Sequence, residues 1–165
     1  MVPKSSKDMP LRLVAGASAG GHTNELLILL EAGQGAWPVQ PSVFVTTMKI
    51  AASGYARFGK PVRVIGEADR RKPLQALSVL WRTMRWVLHD RPDVVLTTGS
   101  MPLAVYCVWA KLLLRSHIVW VDSVAQVDDL SLSGKIMRRV ANDCFAQWPA
   151  VALRYPDVQY VGEVM

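Results

Sequence analysis

The chain has 165 residues, enough to bury a core of its own and few enough to make one domain the simplest organisation. Half of it is apolar, yet no stretch supplies the roughly 20 uninterrupted apolar residues of a membrane-spanning helix. The net charge of +6 suits an anionic partner, and nucleic acid, acidic lipid and pyrophosphate-bearing ligands all satisfy it.

Residues 1–10 open with Lys4, Ser5, Ser6, Lys7 and Asp8 and lack the apolar segment of a secretory signal. They read as a flexible N-terminus on a cytoplasmic protein. A strand is expected near 11–16, followed by Gly16-Ala17-Ser18-Ala19-Gly20-Gly21-His22-Thr23 and a helix near 22–32. A strand, a glycine turn and a helix start in that order form an anion site. Glycine lets the backbone approach a ligand, and the helix N-terminus presents unpaired N–H groups carrying about half a positive charge. His22 stands at its mouth.

Three readings of this loop compete. A dinucleotide fingerprint requires G-x-G-x-x-G and an acidic residue at the end of the second strand, whereas Val43-Phe44-Val45 runs into Thr46-Thr47. A P-loop requires lysine where His22 stands, although Gly16, Gly21 and Thr23 keep its spacing. The third reading is a tight turn whose glycines serve packing only.

Strands follow near 43–46 and 62–65, and a helix near 73–89. On that helix Leu77, Leu80, Trp81, Met84 and Leu88 make one apolar stripe, with Arg82, Arg85 and His89 along a separate basic edge. Arg70, Arg71 and Lys72 precede it, and Trp86 lies among its cations. Tryptophan beside arginine suits peripheral contact with an acidic membrane through Trp81, Arg82, Arg85 and Trp86. An ordinary amphipathic helix packed on a sheet would show the same stripe. No nucleic-acid-binding motif accompanies the charge, so nucleic acid is not the expected partner.

The next strand, near 93–97, runs into Thr97-Thr98-Gly99-Ser100 and a helix near 101–114. This second strand-to-helix turn offers further N–H and hydroxyl donors. The strand near 117–121 ends in Asp122 and Ser123, where an acid serves as a base, ligates a sugar hydroxyl or caps a turn. A helix near 134–141 and strands near 143–146 and 158–161 complete the chain. Cys107 and Cys144 lie in apolar runs without metal or redox spacing and read as buried free thiols. Alternating continuous apolar strands and helices predict an α/β, Rossmann-like doubly wound parallel sheet, with ligands outside the carboxyl ends of the strands.

Six segments in order carry a resemblance: A-S-A-G-G-H-T-N-E, P-D-V-V-L-T-T-G, V-D-S-V-A-Q, S-L-S-G-K, A-Q-W-P-A and Y-P-D-V-Q-Y-V-G. Together they resemble the small membrane-associated subunits of two-component GT-B glycosyltransferases. That family includes exopolysaccharide subunits of PssD type and the eukaryotic subunit that recruits the second GlcNAc transferase of dolichol-linked oligosaccharide assembly. More distant is a similarity to the N-terminal half of the transferase that makes lipid II.

The resemblance implies that residues 11–165 form a single acceptor-side domain, equivalent to the N-terminal half of a GT-B enzyme. A separate donor-binding subunit would complete a heterodimer, the chain being inactive alone. The implied reaction is inverting transfer of a hexosyl group from a UDP-sugar to a polyprenyl-pyrophosphate-linked saccharide in exopolysaccharide biosynthesis. It would take place at the inner face of the plasma membrane, with neither metal nor cofactor. His22 or Asp122 would accept the proton of the acceptor hydroxyl or orient it. Ser18, Gly20, Gly21, Thr23, Gly99 and Ser100 would cradle the pyrophosphate. Members of that family often carry glutamate-serine and then arginine where this chain has Asp122-Ser123 and Gln126, a shorter acid and one anion contact fewer. Two other classes remain at this point: a non-catalytic membrane adaptor that orients a catalytic partner, and a degenerate P-loop nucleotide-binding protein.

Overall fold

A computed structural model describes residues 10–67 and 73–163. All but the last residue of the expected flexible N-terminus, and Arg70, Arg71 and Lys72, lie outside the described residues.

Seven parallel strands form one sheet: β1 (Leu13–Ala17), β2 (Val43–Thr46), β3 (Val62–Val64), β4 (Val94–Thr97), β5 (His117–Val121), β6 (Asp143–Ala146) and β7 (Gln159–Tyr160). Their spatial order is β3-β2-β1-β4-β5-β6-β7. Strand order reverses at β1, which pairs with β2 on one side and β4 on the other, Val14 lying between Val43 and Val95. The expected strands all form, and the fold class is the α/β parallel sheet that continuous apolar runs predict.

Four helices also answer to expected ones: α1 (Gly21–Ala32), α3 (Pro73–Asp90), α4 (Met101–Leu114) and α5 (Leu132–Met137). α5 begins two residues before the expected 134–141 helix and ends sooner. Ser131 caps its N-terminus, its side chain accepting the Gly134 N–H, which recruits Leu132 and Ser133 into the first turn. Three short elements were not expected: α2 (Lys49–Ala52), a 3₁₀ turn (Ser53–Phe58) and α6 (Pro149–Arg154). None is long enough to repeat an apolar stripe.

The core has two layers. On one face α3, α4 and α5 pack over Val14, Val45, Val95, Ile118 and Trp120. On the other, α1 and the 3₁₀ turn cover Ala15, Phe44 and Leu96, with Phe44 stacked on Tyr55 at 4.7 Å between ring centroids. Gly16 is a packing glycine, since a Cβ there would lie 2.7 Å from Leu103 Cδ1 of α4. Cys107 and Cys144 are buried free thiols, and burial pushes the Cys144 thiol up to about 12. No helix among the described residues is long and apolar enough to cross a membrane.

The orientation of α3 reverses the simplest reading of its stripe. Val79, Thr83 and Val87 face the core, each 3% exposed or less, whereas Leu77 is 61% and Trp81 63% exposed. The stripe read from sequence is the outer surface of the helix, not its packed face. Leu74, Leu88, Leu112 and Ile136 extend this apolar surface across α3, α4 and α5.

Candidate functional site

The site lies where strand order reverses. β1 and β4 are neighbours, and each ends in a turn that opens a helix, so the N-termini of α1 and α4 open on the same crevice. Gly20 begins α1 at φ 94° and Ser100 begins α4 at φ 95°, and neither helix has a side-chain cap. Two uncapped N-termini in one crevice focus positive potential there. Holding a non-glycine residue such as Ser100 at that φ costs on the order of 1–3 kcal/mol, a strain typical of ligand-binding turns.

The loop glycines divide by purpose. Gly20 needs its positive φ. Gly21 does not adopt one, and a Cβ at position 21 would meet nothing within 4 Å. Neither conformation nor packing therefore calls for glycine at position 21. The space above it, at a helix N-terminus, is open and leaves room for a ligand to approach the backbone closely. Gly16 is thus a packing glycine, Gly20 answers to the positive φ of the turn, and the space above Gly21 is open.

His22 joins the two turns. Its carbonyl accepts a 2.7 Å hydrogen bond from Thr98 Oγ1, and its ring lies over Gly99. His22 Nδ1 and Ser100 Oγ are both buried without a protein partner, and such orphans on a crevice wall call for a ligand or ordered water. The other expected cradle residues are more occupied. Thr23 is buried and its hydroxyl donates to the Ser18 carbonyl at 2.7 Å, while Ser18 is itself buried. Gly99 N–H is turned toward Thr97 Oγ1 at 3.3 Å. Among the described residues the free donors are therefore the first N–H groups of α1 and α4 and the Ser100 hydroxyl, with Ser18, Thr23 and Gly99 shaping the loops that present them.

Asp122 does not face this crevice. It is 2% exposed, and its carboxylate accepts from Trp120 Nε1 (3.2 Å), Ser131 Oγ (2.6 Å) and Ser131 N–H (2.8 Å). A carboxylate so saturated ties β5 to the start of α5, and its geometry is that of an anchor and not of a base open to substrate.

Its neighbour Ser123 points the other way, donating to Glu25 Oε1 at 3.1 Å, and Gln147 Nε2 donates to Glu25 Oε2 at 3.0 Å. Gln147 also donates to the Asp122 carbonyl at 2.9 Å. This buried Glu25–Ser123–Gln147 cluster binds the first turns of α1 to the ends of β5 and β6, and sequence reasoning did not single it out. The available signal was a carboxylate on the inner side of an apolar helix, between Thr23 and Leu26.

Along α3 the expected membrane residues separate. Trp81, Arg82 and Arg85 are exposed, and neither arginine has an ion-pair partner among the described residues. Trp86 is only half-exposed and lies under the Arg63 guanidinium, 4.3 Å from its ring centroid, so it belongs to the packed side of the helix. No group of three or more metal-ligating side chains occurs among the described residues.

Residues 51–164 match the family described as oligosaccharide biosynthesis protein Alg14 like. The chain is 29% identical over 181 residues to the UDP-N-acetylglucosamine transferase subunit ALG14 of Mus musculus, covering 94% of this chain and 83% of that one. Against the Schizosaccharomyces pombe subunit alg14 the identity is 30% over 184 residues, covering 98% and 88%. Among solved structures it superposes on Acinetobacter baumannii MurG with a TM-score of 0.67 at 18% identity, over 86% of this chain and 43% of that one. Staphylococcus aureus MnaA, solved with UDP, gives 0.68 at 13% identity, over 94% and 46%. The chain thus spans less than half the length of these solved chains, and at such identities the likeness is one of fold.

Proposed function

The chain belongs to the Alg14-like family of oligosaccharide biosynthesis proteins, and from that membership we propose that it is the acceptor-side subunit of a two-subunit GT-B glycosyltransferase. With a separate donor-binding subunit it transfers a hexosyl group from a UDP-sugar to a polyprenyl-pyrophosphate-linked saccharide, in exopolysaccharide assembly on the inner face of the plasma membrane. The observation that carries the proposal is the pair of uncapped helix N-termini of α1 and α4 flanking two orphan polar atoms, His22 Nδ1 and Ser100 Oγ. Such a crevice suits a pyrophosphate.

In the proposed reaction the acceptor hydroxyl attacks the anomeric carbon with inversion. The bond from that carbon to the UDP oxygen breaks, and the hydroxyl proton passes to a base. His22, at the crevice and with a free ring nitrogen, is the residue assigned to accept or orient that proton. Asp122 becomes a positioning residue that holds the β5–α5 junction. Through its exposed Leu77 and Trp81, with Arg82 and Arg85 beside them, α3 rests on acidic lipid.

The test is reconstitution of the chain with a donor-binding half, UDP-N-acetylglucosamine being the first donor to try because the relatives carry it in their names. Transfer to a prenyl-pyrophosphate-linked saccharide should need both chains and fall about 10²-fold or more in His22→Ala. Unchanged transfer in His22→Ala would favour the adaptor reading, to which the inward turn of Asp122 already lends some weight.

A further inference from the structure

The cradle accounts for the polar head of a lipid-linked acceptor and leaves its hydrocarbon unplaced. β4 is preceded by α3 and followed by α4, so the two helices run side by side in the same direction over one face of the sheet. They pack directly on one another, and apolar hollows line the outer side of that contact. Beside the start of α4, a pocket of about 400 Å³ is walled by Ala76, Leu80, Met101, Pro102 and Val105. Farther along, pockets of about 230 and 220 Å³ continue it past Trp81 and Met84 to Trp109 and Leu112. Leu80 borders all three, Met101 and Val105 two of them, so they form one cleft.

Three observations identify its occupant. The cleft begins at Met101, the residue next to Ser100, whose orphan hydroxyl belongs to the anion crevice. Its walls are apolar throughout, although the exposed Arg82 and Arg85 lie on the far edge of α3. From Met101 to Leu112 it runs about 16 Å at 1.5 Å per helical residue, and its outer end opens among the exposed side chains of Trp81 and Leu112. A narrow, elongated apolar slot with an anion site at one end and an exposed apolar surface at the other fits a flexible chain carrying a terminal pyrophosphate.

We infer that the α3–α4 cleft holds the first isoprene units of a polyprenyl pyrophosphate, leading the lipid from the Ser100 turn to the membrane-facing side of α3. This rests on the pyrophosphate-cradle reading proposed above and adds to it a site for the lipid itself. The site sets a preference among acceptors by tail and not only by sugar.

The test uses the full chain in detergent-free buffer, so that no bilayer contributes, and measures binding of inorganic pyrophosphate, farnesol and farnesyl pyrophosphate by calorimetry. Farnesyl pyrophosphate is expected to bind at least tenfold more tightly than inorganic pyrophosphate. Val105→Trp, which fills the cleft, should erase that advantage and leave pyrophosphate binding as it was. Ala76→Phe narrows the cleft from its exposed rim without touching the core, and it should act in the same way even if Val105→Trp disturbs folding. Pyrophosphate binding without any gain from the tail, or a gain that survives in both variants, overturns the cleft assignment and leaves the cradle standing. Farnesol binding as tightly as farnesyl pyrophosphate, and lost in both variants, upholds the cleft and overturns the cradle.

Discussion

The His22 ring lies across Gly99: a Cβ at position 99 would sit 3.1 Å from His22 Cε1 and 3.3 Å from Nδ1. Two strand-to-helix turns more than seventy residues apart in sequence are thereby locked face to face, and Thr98 Oγ1 fixes the His22 carbonyl in the same contact. Gly99 is also held at φ 119°. Gly99→Ala is therefore expected to cost about 1–2 kcal/mol in backbone strain and to push the imidazole out of place. Urea denaturation should report the modest loss, while transferase activity should fall by a much larger factor than stability alone predicts. Equal losses in both would make Gly99 a folding residue only.

Gly21→Ala should show opposite signs in two assays. The position is helical, so alanine gains up to about 1 kcal/mol over glycine, and the added methyl meets no protein atom. Thermal stability should hold or rise. Pyrophosphate binding should weaken by tenfold or more, because the methyl enters the space the proposed cradle gives to the ligand. A variant that binds pyrophosphate like the parent would remove Gly21 from the cradle.

Much of this was legible in advance because buried parallel strands are written as unbroken apolar runs. Asp93-Val94-Val95-Leu96 and Ile118-Val119-Trp120-Val121 announce β4 and β5 without ambiguity. The glycine loop was legible as a strand-to-helix turn, since Gly16, Gly20 and Gly21 punctuate the passage from one apolar run to the next. Side-chain direction was not. α3 carries two apolar stripes, Leu77-Trp81-Met84-Leu88 and Val79-Thr83-Val87, and periodicity cannot tell which one meets the sheet. Sequence likewise placed Asp122 at the end of a strand, but Ser131, nine residues on, decides that its carboxylate turns toward α5. Glu25 passed unnoticed because its partners, Ser123 and Gln147, lie about a hundred residues away.

Asp122 offers a separation of anchoring from chemistry. Asp122→Ala strands the Trp120 N–H and both Ser131 donors in a buried site and should cost about 3 kcal/mol. Gly134→Ala should be damaging for the same reason, a Cβ there falling 2.6 Å from Asp122 Oδ1. Asp122→Asn keeps the shape and, through its one carbonyl oxygen, the acceptor for Trp120 and the Ser131 hydroxyl, while losing the bond from the Ser131 N–H. If Asp122 only anchors, the asparagine variant should retain its pH–rate profile and most of its kcat. A profile that loses a limb in Asp122→Asn would restore Asp122 as the base.

Acid should loosen the α5 loop through Asp129. Hydrogen bonds from Lys135 and Tyr155 hold its carboxyl down at about 2. Because the folded value lies below the unfolded one near 3.9, the contribution is fully present above about pH 4. It is lost as the pH falls toward 2. Asp129→Asn should flatten stability against pH within that window by lowering stability near neutrality and leaving it little changed near pH 2, as stepwise acid titration followed by circular dichroism would reveal. An identical acid limb in the variant would show that other carboxylates govern it.

The outer face of α3 makes the sharpest prediction about location. Leu77 and Trp81 bury little in the chain itself, so Leu77→Ser with Trp81→Ser should leave thermal stability within about 0.5 kcal/mol of the parent. The same double change should abolish co-sedimentation with vesicles rich in phosphatidylserine. Arg82→Glu with Arg85→Glu removes two attractions of about 1 kcal/mol each and adds two repulsions, so vesicle affinity should drop more than tenfold. The loss should be greatest at low salt, where surface charges are least screened. Trp86→Phe, by contrast, should leave vesicle binding intact, since Trp86 packs beneath Arg63 on the inner side of the helix. Vesicle binding that depends on Trp86 and ignores Leu77 and Trp81 would mean that α3 meets the membrane by its other face. That would require the helix to detach from the sheet, because the other face holds Val79, Thr83 and Val87 in the core.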